Sequence, residues 1–191
     1  MNELEFAYDA TIEGWVRALG LKDKHTEGHS VRLAQLAMAL AHELGIQGED
    51  LIRLRRGALL HDIGKLGIPD AILNKAASLT EAEWEMMRLH TEYGLQVLGP
   101  IHFLQPAAEI AYCHHENWDG SGYPRGLKGE NIPLRARVVS ICNVYDALVS
   151  DQPYRKGWEK KNALRYVGEA SGKQFDPEVV VAFMRLFRDE H

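Results

Sequence analysis

The sequence predicts an all-α fold, and three observations carry that expectation. Apolar residues recur at helical spacing in one segment after another. No stretch alternates with period two on β-branched residues. Two explicit helix-start signals are present, Thr80 with Glu83 three residues on and "FDPE" at 175–178. At 191 residues, 46% hydrophobic and 26% charged, the chain is long enough for one domain with a substantial core.

The opening stretch "ELEFAYDATIEGWVRAL" reads as a lead-in helix, so residues 1–21 are set apart from a domain at 22–191. Helical lead-ins with exposed apolar residues often dimerise, which makes a homodimer an expectation of this segment. Residues 28–44 carry an apolar stripe at 33, 36, 37, 40, 41 and 44, closed by Gly45. Residues 50–63 repeat it with Leu51, Leu54, Ala58 and Leu59, and Gly64 breaks it. A helix is expected from Thr80, with His90 at its end, and others over 105–114, 134–150 and 160–170. A last one follows "FDPE". Between them, 116–133 is glycine-rich and closed by prolines, and a loop of that length in a compact domain is more often functional than idle. Trp15, Trp84, Trp158 and the Met86–Met87 pair are expected in core or partner-helix packing.

The formal net charge of -5, with no Lys/Arg run beyond "LRRG" at 54–57, argues against a nucleic-acid polymer as partner. No apolar run reaches the roughly 20 residues of a membrane span, and no signal-peptide pattern opens the chain. Cys113 and Cys142 are far apart and sit among apolar residues, which predicts buried free thiols and a reducing cytoplasm.

The chemistry concentrates on some of the nine histidines. His29 lies four residues before Leu33 and seven before Leu36, on the core-facing side, and His25 is one turn earlier. Asp62, four residues after Ala58, falls on the buried face of its helix beside His61. A carboxylate there must be paired, protonated or bound to a cation. His90, His114 and His115 stand at helix ends, and Asn143, Asp146 and Ser150 form a narrow polar stripe. Imidazole and carboxylate together suit Zn, Fe, Mn or Ni, and a bridging Asp suits a two-metal centre. His42, His102 and His191 have no such company and are read as solvated or structural.

The order "LLHDIGKLGIPDAIL", His90, "HHENWDGSGYPRGLKGENIP", "NVYDALVSDQPYR" and "GKQFDPEVVVAF" resembles the HD-GYP family of bacterial phosphodiesterases. The match runs from about residue 22 to 187, and the long glycine-rich motif makes it specific. The resemblance implies an all-α HD-domain helical bundle with additional C-terminal helices and a long Gly-rich loop. It implies hydrolysis of cyclic di-GMP to the linear dinucleotide and in some members to GMP. Two or three divalent ions are implied, Fe or Mn foremost, with Zn or Ni chemically reasonable. The implied ligands are His29, His61, Asp62, His90, His114, His115 and Asn143, with Asp62 bridging and His25 at a third site. Lys65 is implied close to the metal-bound phosphate, as a point charge for the pentacoordinate state. Tyr123, Arg155, Gln152 and Asp146 are expected to meet the substrate, Tyr123 by stacking on a guanine. Family members are often fused to sensory or receiver domains, so an upstream domain or partner protein is a further expectation.

Three positions depart from the family's pattern. Asn143 stands where an Asp is common, His25 where members with a third metal carry Glu, and Gln152 where "DRPY" has Arg, while Arg155 is retained. A retained metal centre with altered metal preference or reduced turnover is therefore expected. The competing reading is a module that kept the fold and acts by nucleotide or protein binding. An HD hydrolase of a dNTP or alarmone is disfavoured by the intact "GSGYP".

Overall fold

The computed structural model describes residues 3–23, 28–151 and 156–188. Its helices are α1 (Glu3–Lys22), α2 (His29–Glu43), α3 (Glu49–Leu60), α4 (Asp70–Leu73) and α5 (Glu81–Arg88). There follow α6 (His90–Leu98), α7 (Gln105–Cys113), α8 (Leu134–Val149), α9 (Lys160–Glu169) and α10 (Pro177–Arg185). No strand occurs among the described residues, only one isolated bridge between Ser171 and Phe175. The all-α expectation holds. None of the described helices is long and apolar enough to cross a membrane.

Both start signals act as local chemistry dictates. The Thr80 side chain accepts from the Glu83 backbone N–H while the Glu83 carboxylate accepts from the Thr80 N–H, which closes a capping box on α5. Asp176 caps α10 by accepting from the Glu178 N–H, with Pro177 at the first helical position.

The core forms where the apolar stripes meet. Leu33, Ala37 and Leu40 of α2 are fully buried, as are Leu54 and Ala58 of α3, Ile110 of α7, Val138 and Ile141 of α8, and Phe183 of α10. Helix α2 packs on α3 and α8, α3 on α7, and α7 on α6, so these helices surround one interior. Helix α1 joins the same body. Ile12 and Leu19 are buried, Asp9 pairs with Arg55 and Arg56 of α3, and Tyr8 stacks on Phe103 at 3.9 Å. The lead-in helix expected over 1–21 corresponds to α1, which packs on α3, and the "LRRG" arginines are engaged within the fold.

Two expectations need correction. The helix begun at Thr80 stops at Arg88, and His90 opens the separate helix α6. The 3-10 turn Ile63–Gly67 lies so close to α6 that a Cβ on Gly64 would overlap the His90 carbonyl and the Gly94 nitrogen. Trp84 and Trp158 are 46% and 41% exposed and Met86 37%, because α5 buries no residue and Trp158 precedes α9. Trp15 does pack against the core. Both cysteines are free and buried, as expected, and burial raises both thiols, Cys113 to about 11. His25, Gln152, Arg155 and His191 lie outside the described residues, while His42 and His102 are exposed.

Candidate metal centre

Three histidines use one local device. His61, at the end of α3, donates from Nδ1 to the Ala58 carbonyl at 2.8 Å. His90 donates to the Met87 carbonyl at 2.7 Å, and His114 at the end of α7 donates to the Ala111 carbonyl at 2.9 Å. A carbonyl can only accept, so each ring is held as the Nδ1–H tautomer with its Nε2 lone pair directed elsewhere. All three Nε2 atoms are buried and have no hydrogen-bond partner among the described residues. They converge on Asp62, at 3.3 Å from His61, 3.6 Å from His90 and 3.9 Å from His114. Burial lowers the affinity of His90 and His114 for a proton, and it holds the nearby His115 at about 3. His90, His114 and His115 are thus neutral donors.

Asp62 is buried just beyond α3. Burial pushes its carboxyl up, but Lys65 and the facing histidines outweigh that and hold it well below the usual carboxylate range. Lys65 reaches Asp62 at 2.8 Å and Asp23 at 3.2 Å. Burial opposes its charge, yet the two carboxylates push the ammonium up to about 12. Asp62 belongs to two donor sets at once. One is Asp62, His90, His114 and His115, the other His29, His61 and Asp62, and in each the ligand atoms lie within 4.8 Å of one another. Unpaired nitrogens around an ionised carboxylate fit a divalent first-row metal, whose charge would satisfy atoms that are otherwise costly to bury.

The second set is braced from α8. Asp146 accepts from His29 Nδ1 at 2.6 Å and takes a fork of bonds from Arg32, Nε to Oδ1 and Nη2 to Oδ2, both at 2.9 Å. Burial raises the Asp146 carboxyl, but His29 and Arg32 prevail and hold it at about 2. Asn143, one turn earlier, turns its Oδ1 to 3.1 Å from His29 Nε2. With Nδ1 engaged by Asp146, His29 Nε2 and Asn143 Oδ1 are the two atoms on this side that could hold a cation. Asp146, expected at the substrate, here accepts from His29 and Arg32 at Oδ2 and from Arg32 at Oδ1.

The glycine-rich loop forms the remaining wall. Tyr123 stacks on His115 at 4.8 Å, and the Arg88 guanidinium lies 5.5 Å from the same ring. Burial raises the Tyr123 hydroxyl, with Asp62 adding to it. Tyr123 can sit there because Gly122 crosses the backbone of 115–117 too closely for any Cβ. Glu116 fixes the loop from inside, its two oxygens accepting from Arg125 N–H at 2.8 Å and Leu127 N–H at 2.9 Å. Beside His115 and Asn143 opens a polar hollow of about 300 Å³. Sequence reasoning missed Asp23, Arg32 and Glu116. The neighbouring His and Lys residues gave no hint of them, since each earns its place through a contact made only in the fold.

Comparison with known proteins agrees with this geometry. The family model described as HD domain matches residues 16–179. The cyclic di-GMP phosphodiesterase response regulator RpfG of Xanthomonas campestris is 41% identical over 187 residues, 97% of this chain and 50% of that protein. The 3'3'-cGAMP-specific phosphodiesterase 3 of Vibrio cholerae is 40% identical over 190 residues, 96% of this chain and 41% of that protein. The chain thus spans about half the length of the curated relatives it matches. A solved structure described as an HDG"Y"P protein from Bdellovibrio bacteriovorus superposes with a TM-score of 0.68 at 26% identity, over 84% of this chain and 51% of that one. Sequence, fold and donor arrangement agree, and the chain belongs to the HD domain family, in its HD-GYP branch.

Proposed function

We propose that the chain is a cytoplasmic, metal-dependent phosphodiesterase that hydrolyses cyclic di-GMP to linear pGpG, with GMP as the further product. One observation carries this reading above the others: three buried imidazole nitrogens without partners converge on one ionised carboxylate shared by two donor sets. In this reading His29, His61 and Asn143 hold one ion and His90, His114 and His115 a second, with Asp62 common to both. His25 is the residue this reading assigns to a third. When bound, such ions supply a hydroxide at neutral pH and neutralise charge on the phosphoryl oxygens. Fe or Mn suits the nitrogen-rich, carboxylate-bridged set.

The chain's own residues do the rest. Lys65 is the catalytic cation, kept charged by Asp62 and Asp23 and able to stabilise charge that develops on the phosphoryl group. Asp146 and Arg32 keep His29 in one orientation. Tyr123, stacked on His115 with Arg88 over its ring, stands at the mouth, and Arg155 and Gln152 complete the substrate contacts in this reading. Asn143 favours a second reading, a module of weak or no turnover that acts by binding nucleotide, because an amide brings no charge to the metal.

The test is anaerobic purification with metal analysis, followed by chromatography of cyclic di-GMP and 3'3'-cGAMP incubated with Fe(II)- or Mn(II)-reconstituted protein. Linear dinucleotide formed from cyclic di-GMP only with metal, and lost in His61→Ala, is the expected result. Bound metal and nucleotide without product would favour the binding module, and preferential cleavage of 3'3'-cGAMP would reassign the substrate.

A further inference from the structure

Helix α10 buries Val179, Val180, Ala182 and Phe183 but leaves Val181 52% exposed. Val181 stands on the wall of a groove of about 380 Å³ between α10 and the end of α2. Leu44 of α2 and Pro177 and Ala182 of α10 supply the rest of its apolar surface. Glu178 and Arg185 line the same groove, on the face of α10 that carries Val181. The positions 178, 181, 182 and 185 follow the i, i+3, i+4, i+7 spacing that puts residues on one side of a helix. Glu178 and Arg185 are both exposed. The ion pair at this end of the fold joins Arg137 to Asp176, and neither Glu178 nor Arg185 has an ion-pair partner among the described residues.

This face is acidic at one end, aliphatic in the middle and basic at the other end. Turning it end over end about the midpoint between 181 and 182 exchanges 178 with 185. A second copy laid antiparallel therefore sets Glu178 opposite Arg185 at both ends, and brings each Val181 to the groove of the other copy. A surface that complements itself in this way meets the requirement of a two-fold interface. We propose that this face of α10 is a homodimer contact, with two copies meeting antiparallel across an axis beside Val181. A helix of nine residues is only about 14 Å long, which puts the contact among the small interfaces. The groove's third charged group, Glu43, leaves acid in excess of the single arginine. The dimer is accordingly weak, micromolar rather than nanomolar. It is a different dimer from the one expected of the lead-in segment, since α1 packs on α3 while α10 packs on α2, α8 and α9. No residue of either donor set lies on this face, so the inference stands whatever the centre hydrolyses.

The test is sedimentation equilibrium of the full chain across the micromolar range, on wild type and on charge-reversed variants. Wild type should pass from monomer to dimer as concentration rises. Glu178→Arg sets arginine against arginine at both contacts, and Arg185→Glu sets carboxylate against carboxylate. Each alone should raise the dissociation constant roughly tenfold or more. Mixed in equal amounts, the two variants regain opposite charges at both contacts and should pair with each other about as well as wild type does with itself. The double variant Glu178→Arg/Arg185→Glu should dimerise on its own for the same reason. A wild type that stays monomeric throughout would overturn the proposal. Single variants that dimerise undiminished would also overturn it, by placing the contact on another surface such as α1. A mixture that fails to recover would exclude the antiparallel register and sink the proposal equally. Thermal melts confirm that each variant folds, and recovery in the mixture requires it.

Discussion

Asn143 is the position where a single atom decides most. Its Oδ1 faces His29 Nε2, so an aspartate would place a full negative charge where the amide brings a dipole. In the metal-free protein Asn143→Asp should destabilise, because the new carboxylate sits one turn from the like-charged Asp146. With metal the sign reverses, and affinity should rise about tenfold, the scale on which changes around a metal ligand act. Titration of Mn(II) by calorimetry, with the rate on cyclic di-GMP, checks this; unchanged affinity and rate would show that position 143 limits neither. How far residues were legible follows from where their partners lie. Asp62 could be singled out because a helical period tells which face is buried and a buried carboxylate demands company, His61 because it adjoins it, and His114 and His115 as adjacent imidazoles at a helix end. The tasks of Asp146 and Arg32 could not, since Asp146 is 117 positions from His29 and 114 from Arg32, and nothing local says which carboxylate will meet which ring. Asp23 was hidden for the same reason, 42 positions from Lys65.

The glycine-rich loop behaves as an element because Glu116 makes it one. Two backbone N–H groups, nine and eleven residues on, share one buried carboxylate. Glu116→Gln can accept at one of them only, and its NH2 would face the other donor. The loss should be roughly 1–3 kcal/mol, the cost of leaving a buried donor unsatisfied. Hydrogen exchange at Arg125 and Leu127 should quicken, and Tyr123 should leave His115; unchanged protection would mean the loop is held otherwise. Helix α5 offers a check of the opposite kind, on a half-buried pair. The Glu83 carboxyl is drawn down to about 2, first by the Lys75 ammonium and then by the Thr80 N–H. Its folded value lies below the unfolded one of about 4.3, so its contribution is complete above that pH and fades as pH falls toward 2. An NMR titration of Glu83 should find the low midpoint and see it climb in Lys75→Met. Thr80 and Glu83 were legible as a helix start because a capping box is written in four consecutive residues. The stop at Arg88 was not, because the fold around it brings Gly64 against His90, a contact that local sequence cannot announce.

Across the whole molecule, the donors come from segments far apart in the chain. His29 opens α2, His61 and Asp62 follow α3, His90 opens α6, His114 and His115 end α7, and Asn143 lies in α8. Packing of α2 on α3 and α8, of α3 on α7 and of α7 on α6 brings them together, and it buries three imidazole nitrogens that the fold alone leaves unsatisfied. That helices would pack was legible in their stripes. That α1 would seat on α3 through Asp9 and Tyr8 was not, since a polar contact and one ring stack set its place. A ligand held by five segments binds the folded state and has little hold on the unfolded chain, so metal should act as a fold stabiliser. At about one hundred times its dissociation constant the gain is roughly 2.7 kcal/mol. For a chain of this size that corresponds to a rise in Tm of about 5–10 °C. Thermal melts after EDTA and after Mn(II) addition should show that rise in the wild type. His61→Ala removes one nitrogen from the set shared with His29 and Asp62, so its melt should respond to Mn(II) less than the wild type's. A melt indifferent to metal in the wild type would show that the buried nitrogens are satisfied some other way, and the two-set centre on Asp62 would have to be abandoned.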